Sequence, residues 1–183
     1  MISFRPLARS DLPTLQRWLN TPHVYEWWGS HAGPGALGGA GQNAATVAQV
    51  EAKYGQEIDH GGTTHRYIIL HDDLLIGLIQ WYHLRDFADY ARTISEDPAA
   101  AAGMDLLIGE PGAINRGLGS RAIDAFLSSI VFRQADVTRV VTGPAQTNAR
   151  SIRAFEKAGF KRVRSASIKG EPTPETVMVR PKD

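Results

Sequence analysis

Apolar residues recur every three or four positions in several segments of this 183-residue chain, a spacing that predicts helices. Helices are predicted over residues 10–20, 46–58 and 148–158, the last with Asn148 as its N-cap and Gly159 as its left-handed terminator. The clearest helix has five apolar residues on one face: Ile123, Phe126, Leu127, Ile130 and Val131.

Short apolar or β-branched runs predict seven strands, at 1–7, 67–70, 74–81, 104–109, 137–142, 160–168 and 176–179. Residues 83–102, acidic and then alanine-rich, are predicted to form an irregular polar excursion. Gly29–Gly41, with six glycines and one proline, is predicted to be a flexible loop. Because consecutive strands give way to strands alternating with helices, we predict a single α/β (α+β) domain over residues 1–183. Its mixed sheet is expected to carry helices on both faces.

Composition excludes several classes of protein. The chain has no cysteine, so a disulfide scaffold, a Cys-ligated zinc site and a Cys nucleophile are all ruled out. The six histidines show no metal-binding spacing, so no metal is expected. No apolar stretch predicts a signal peptide or a membrane span, and the expected location is the cytoplasm.

The formal net charge of +1 hides an asymmetry along the chain. Residues 1–110 carry 7 basic and 13 acidic side chains, whereas residues 111–183 carry 13 basic and 6 acidic ones. This division is compatible with two ligands of opposite charge, or with two solvated surfaces that prefer no ligand. No basic stripe with interleaved aromatic residues is present, so nucleic acid is not an expected partner.

A glycine-rich turn joins the strand at 104–109 to the following helix, which begins near Gly117 and Gly119. Small residues at a helix N-terminus let backbone N–H groups approach a phosphate. Neither of two phosphate-binding motifs fits fully: Leu118-Gly119 stands where a P-loop needs Lys-Ser/Thr, and a dinucleotide fingerprint would follow its strand directly. A helix start without a ligand also remains open.

Two motifs resemble the GNAT superfamily of N-acyltransferases. The turn Ile114-Asn-Arg-Gly117-Leu-Gly119 is similar to its coenzyme A loop, although the first position departs from the usual Gln or Arg. The segment Asn148-Ala-Arg-Ser-Ile-Arg-Ala-Phe155-Glu-Lys-Ala-Gly-Phe160 resembles its pantetheine-binding helix, with phenylalanine at the usual tyrosine position. The resemblance implies a mixed, mostly antiparallel sheet and acetyl-CoA as co-substrate. It implies these coenzyme-binding residues: Leu106, Leu107, Ile108, Arg116, Gly117, Leu118, Gly119, Ser120, Asn148, Phe155 and Lys157.

Two further segments are similar to aminoglycoside 6'-N-acetyltransferases, Asn20-Thr-Pro-His-Val-Tyr-Glu-Trp-Trp-Gly29 and Gly103-Met-Asp105. One departure is Gly143-Pro144, where members of this branch often have Asp-Pro. The resemblance implies that the 6'-amine of an aminoglycoside attacks the acetyl thioester directly. Asp105 would anchor this amine and accept its proton, or else only make a structural hydrogen bond at a strand end.

The expected substrate is a small polycationic amine. Siderophore-type or polyamine substrates are the alternatives within the same class, and a non-catalytic acyl-CoA-binding module is the alternative from another class. Acidic and aromatic side chains are predicted to form the substrate wall, with only one of the two adjacent tryptophans in contact: Trp27, Trp28, Tyr54, Tyr82, Asp86, Asp89 and Glu96.

Overall fold

A computed structural model of the chain describes residues 1–28 and 44–183. The whole of the predicted glycine-rich loop, 29–41, lies outside these residues. Seven strands form one sheet in the order β1-β2-β3-β4-β5-β7-β6. Only β4 and β5 run parallel, so the prediction of a mixed, mostly antiparallel sheet is confirmed. The strands are β1 Ile2–Pro6, β2 Thr64–His71, β3 Leu74–His83, β4 Ala101–Ile108, β5 Arg139–Thr142, β6 Lys161–Ala166 and β7 Glu175–Pro181.

Among the described residues, seven α-helical segments accompany these strands: α1 Leu12–Leu19, α2 Pro22–Tyr25, α3 Val47–Val50, α4 Gln56–His60, α5 Ala88–Thr93, α6 Leu118–Ser129 and α7 Ala149–Lys157. The weak helix predicted over 46–58 is present, but a π-helical segment, Glu51–Gly55, joins α3 to α4. The prediction that 83–102 is irregular is wrong. This segment contains a 3-10 turn, helix α5 and the first two residues of β4, because Leu84, Ala91 and Ile94 point inward between its charged residues.

The helices cover both faces of the sheet, as predicted. One face packs against α6 and α7 through a cluster that includes Met104, Phe126 and Ile152. The opposite face carries two separate apolar clusters. The first includes Leu15 of α1 and Leu107 of β4, and the second lies beneath α5. Side chains alternate between faces along a strand, so Asp105 projects on the opposite face from Met104, between these two clusters.

The two parallel strands diverge partway along their length. β4 pairs with β5 only from Ala101 to Gly103, opposite Arg139 to Val141, although β4 continues to Ile108. Beyond Gly103 the backbone of β4 therefore lacks a ladder partner on that side and borders an open gap. This gap positions the cavity described below.

Candidate active site

A cavity of about 350 Å³ lies at the gap between β4 and β5. It is bordered by the end of β4, the start of α6, one side of α7 and the residues that follow α2. Most of the predicted site residues meet here. They are Trp27, Trp28, Asp105, Leu106, Leu107, Ile108, Gly117, Leu118, Gly119, Ser120, Asn148, Phe155 and Lys157.

The N-terminus of α6 is shaped to accept an anion. Gly117 precedes the helix with a φ of 72°, in the left-handed region that favours glycine, and no side chain caps the helix. The first N–H groups of a helix have no partner within it, so those of α6 remain available to a ligand. A Cβ on Gly119 would meet nothing closer than the Cβ of Ala154, at 3.9 Å, so the missing side chain opens space rather than relieving a clash.

The basic side chains at this end of the cavity differ in part from those predicted. Arg116 does not line it: the side chain is exposed, and its Nη1 donates to the carbonyl of Gly112 at 3.4 Å. Arg150 and Arg153 of α7 line the cavity together with Lys157. Positive charge therefore comes from α7, which also carries the predicted residues Asn148 and Phe155.

Asn148, at the N-terminus of α7, and Phe155, within the helix, make different kinds of contact. The Oδ1 of Asn148 accepts a hydrogen bond from the Ser151 N–H at 3.0 Å, which caps the helix as predicted. The ring of Phe155 packs edge-to-face against Phe160, with 5.1 Å between the ring centroids, and also borders the cavity. Phe155 has no hydroxyl group, so it cannot donate a proton to a leaving group.

The end of β4 is fixed from the side of α2. The Nε2 of His23 hydrogen-bonds to the carbonyl oxygen of Ile108 at 2.9 Å. Trp27 and Trp28 both border the cavity, and Trp28 is 5% exposed and packs in the same apolar cluster as Leu15. That only one of the two contacts substrate stays a prediction.

Asp105 lies at one end of a row of polar side chains that crosses three strands. Arg66 of β2 is in register with Gln80 of β3, and Gln80 is in register with Asp105 of β4. The Nε of Arg66 donates to Gln80 Oε1 at 3.0 Å, and Gln80 Nε2 donates to Asp105 Oδ2 at 2.9 Å. Arg66 also pairs with Glu57. We call Arg66, Gln80 and Asp105 the polar row.

The polar row determines the electrostatics of Asp105. Burial raises the pKa of Asp105 to about 6, while the hydrogen bond from Gln80 and the charge of Arg66 act to lower it. The carboxylate is thus ionised near neutral pH and yet more basic than an ordinary aspartate. Because Gln80 accepts from Arg66 through its oxygen, its amide nitrogen is directed at Asp105.

Both predicted tyrosines belong to the apolar clusters instead of lining the cavity. Tyr54 is 1% exposed, and the guanidinium of Arg66 lies 5.0 Å from its ring centroid. Tyr82 is 3% exposed and packs against Gly103, where a Cβ would overlap its ring. The sequence prediction failed because neither the helical segment of Tyr54 nor the strand of Tyr82 indicates by itself whether another element covers the ring.

The acidic residues predicted for the substrate wall also lie elsewhere. Asp86 and Asp89 are exposed, and Asp89 pairs with Arg92 on the same helix. Glu96 accepts from Arg139 Nε at 2.9 Å and from Arg164 Nη1 at 3.0 Å. Its side chain is only 11% exposed, so it ties the segment after α5 to β5 and β6. The structure brings none of these three carboxylates into the cavity.

Sequence analysis missed Arg66 and Gln80. A signal did exist: both occupy inward positions on strands whose other inward residues are apolar, and a polar residue there needs a partner. The pairing itself depends on strand register, which no local pattern supplied.

Two wider properties complete the description. Across the described parts of the chain, no group of three or more His, Asp and Glu side chains is arranged to hold a metal ion. Among the helices of residues 1–28 and 44–183, none has the length and apolar character needed to cross a bilayer.

Comparison with known proteins places this arrangement in context. The family model described as an acetyltransferase (GNAT) domain matches residues 8–168. The aminoglycoside N(6')-acetyltransferase type 1 of Klebsiella pneumoniae is 29% identical over 179 residues, which cover 98% of this chain and 83% of that protein. A kanamycin resistance protein of Rhizobium radiobacter is 31% identical over 85 residues, 46% of this chain and 78% of that protein.

Solved structures agree with these relatives. The crystal structure of aminoglycoside acetyltransferase AAC(6')-Ib with coenzyme A and kanamycin superposes with a TM-score of 0.82 at 27% identity, covering 100% of this chain and 95% of that one. Its complex with ribostamycin and coenzyme A gives the same TM-score at 28% identity, covering 99% and 93%. The predicted resemblance is confirmed, and the chain belongs to the GNAT acetyltransferases.

Proposed function

We propose that this protein transfers an acetyl group from acetyl-CoA to the 6'-amino group of an aminoglycoside. The observation that carries the proposal is the position of Asp105. This carboxylate, whose pKa is raised to about 6, lies in the same cavity as an uncapped helix N-terminus and the basic face of α7. An amine and an anionic acyl donor can therefore meet at one place.

The residues that line the cavity suit each part of acetyl-CoA. The open turn at Gly117 and Gly119, with Arg153 and Lys157 nearby, fits the pyrophosphate. The unpaired edge of β4, from Leu106 to Ile108, offers backbone N–H groups to the thioester carbonyl. The proposal assigns these groups the tasks of holding and polarising the donor.

The chemical step needs no covalent enzyme intermediate. The neutral amine nitrogen forms a bond to the carbonyl carbon, the C–S bond breaks, and the products are an acetamide and the coenzyme thiol. Asp105 accepts the proton that the nitrogen loses, directly or through water. The thiol leaves as a thiolate without an acid at Phe155, since a thiol pKa of about 8.5 makes this group a good leaving group.

Relatives supply the substrate class. Kanamycin and ribostamycin occupy solved structures of AAC(6')-Ib that are 27% and 28% identical to this chain. The carboxylate of Asp105 suits the ammonium groups of such sugars. The basic side chains proposed to bind acetyl-CoA lie apart from it, on α7.

The test is product identification with kanamycin, ribostamycin, spermidine and a hydroxylamine-type siderophore precursor. Thiol release can be followed with a disulfide reagent, and the protein adds no background because it contains no cysteine. We expect turnover with the two aminoglycosides, and NMR should locate the acetyl group on the 6'-nitrogen. Turnover with only spermidine or the hydroxylamine would contradict the proposal, and binding of acetyl-CoA without turnover on any amine would favour a non-catalytic module.

A further inference from the structure

A second buried carboxylate, Glu175, lies at the start of β7. It is 3% exposed, and the hydroxyl of Tyr90 donates to its Oε2 at 2.8 Å. Within the described residues, no other group donates to the side-chain carboxylate of Glu175, and no lysine, arginine or histidine pairs with it. A buried carboxyl group without a cation must either keep a proton or receive a cation from outside.

Strand register places Glu175 on the same sheet face as Asp105. Gly103 is in register with Val141, Val141 with Val179, and Glu175 lies four residues before Val179 along β7. Residues two or four apart on a strand share a face, so Asp105 and Glu175 project on one side of the sheet. They are separated by the position of Gly143, just beyond the end of β5.

Gly143 shows what occupies the space between them. A Cβ built on this residue would overlap the carboxylate of Glu175 and lie 2.7 Å from the Tyr90 hydroxyl oxygen. Its neighbours Thr142 and Pro144 line the cavity. The Glu175 carboxylate therefore fills the place that a side chain at 143 would take, beside the cavity wall.

We propose that Glu175, held by Tyr90, binds a second ammonium group of the substrate, distinct from the amine that Asp105 deprotonates. The inference rests on the proposed function, since an aminoglycoside carries several amines. Gly143 has no side chain, so the Glu175 carboxylate can reach this space from the neighbouring strand.

The electrostatic surroundings support this role. Burial, helped by the nearby acids Asp105 and Glu171, raises the pKa of Glu175 to about 8, although the hydrogen bond from Tyr90 acts to lower it. Tyr82 faces the same group, and burial raises its pKa well above the ordinary value. In the free protein at pH 7 Glu175 thus holds its proton. An arriving ammonium group releases that proton to solvent and pairs with the carboxylate.

The first experiment compares Glu175→Gln with wild type on kanamycin and on 6-amino-6-deoxyglucose, which has a single amine. Glutamine keeps the shape and the acceptor for Tyr90 but cannot become an anion. We expect kcat/KM for kanamycin to fall about 10- to 100-fold, mainly because KM rises. A loss of this size corresponds to one charged hydrogen bond. For the monoamine kcat/KM should change less than about threefold, because this substrate has no second ammonium group to pair with Glu175.

Controls separate this inference from the function on which it rests. Glu51 is exposed and pairs with Arg9, so Glu51→Gln should leave kcat/KM unchanged for both substrates. An equal loss on both substrates, or no loss on either, would overturn the role of Glu175 while leaving aminoglycoside acetylation intact. Failure of the wild type to acetylate kanamycin would overturn both proposals.

The second experiment measures proton release when kanamycin binds at pH 7, by calorimetry in two buffers of different ionisation enthalpy. Wild type should release about one proton more than Glu175→Gln, because only wild type has a protonated carboxyl group to discharge. Tyr90→Phe, which removes the donor but not the acid, should keep the extra proton release and weaken binding. Equal proton release in wild type and Glu175→Gln would contradict the proposal.

Discussion

The two sides of the cavity are built in opposite ways. The coenzyme side, made of the β4 edge, the α6 N-terminus and α7, relies on backbone groups and exposed basic side chains that lie close together in sequence. The polar row of Arg66, Gln80 and Asp105 relies on buried side chains from three strands, joined by hydrogen bonds of 3.0 and 2.9 Å. In the proposed function, the first side binds the coenzyme through its shape, and the second binds the amine through a prearranged charge.

This difference has a consequence for mutational sensitivity. Backbone donors on the coenzyme side cannot be removed by changing a side chain, so substitutions there act by filling space. A change in the polar row removes a charge or hydrogen bond in a buried environment, where its effect is larger than at a surface. Substitutions in the polar row should therefore have larger effects on turnover than substitutions on the coenzyme side.

The largest effect is expected for Asp105→Asn. The change keeps the volume and a hydrogen-bonding group but removes the base and the anchoring charge, so turnover should fall by about 10² to 10⁴. Acetyl-CoA affinity, measured by calorimetry, should stay within about twofold of wild type because the contacts on α6 and α7 are untouched. Asp136→Asn, at an exposed ion pair with Arg85, is the matched control. Turnover of Asp105→Asn within a few-fold of wild type would move the base to another group.

Next comes Gly119→Val on the coenzyme side. The nearest atom to a new Cβ is 3.9 Å away, so the fold should survive while the two methyl groups occupy the space between α6 and α7. We expect acetyl-CoA affinity to fall by about tenfold or more, the size of a lost charged contact at a helix N-terminus. The amine KM should change little. A folded variant with unchanged acetyl-CoA affinity would show that the turn does not bind the coenzyme.

A smaller and more specific effect is expected for Gln80→Met. The hydrogen bond from Gln80 lowers the pKa of Asp105, so its loss should raise that pKa above about 6. Asp105 acts as a base only when deprotonated. The rate of wild type should therefore fall as pH drops through about 6. In the variant this fall on the acidic side should begin at a higher pH than in wild type. The exposed Gln56→Met is the control, and an unshifted acidic limb in Gln80→Met would contradict the positioning role.

The same contrast explains what could be predicted from sequence. The coenzyme side was largely predictable because the turn at Gly117 and the cap at Asn148 are local patterns with a local physical cause. Arg66 and Gln80 escaped prediction because their pairing depends on the register of β2, β3 and β4. Tyr54 and Tyr82 were misplaced since burial of an aromatic ring depends on which elements pack over it.

The division of charge along the sequence was only partly informative. Glu96 from the acidic half pairs with Arg139 and Arg164 from the basic half. Conversely, Asp136 from the basic half pairs with Arg85 from the acidic half. Part of the asymmetry is thus neutralised inside the fold and does not report on ligands.

The smallest effect is expected for the predicted acidic wall, and it separates structural carboxylates from substrate-binding ones. The double change Asp86→Asn and Asp89→Asn should alter KM for kanamycin by less than about twofold, because exposed charges are screened over about 8 Å at physiological ionic strength. The side chain of Asp89 is 93% exposed and already paired with Arg92. Glu96→Gln should instead lower the melting temperature, since it leaves Arg139 and Arg164 without their shared partner, while KM stays unchanged. A rise in KM for the double variant, eroded by added salt, would return these acids to the substrate site and weaken the case for Glu175.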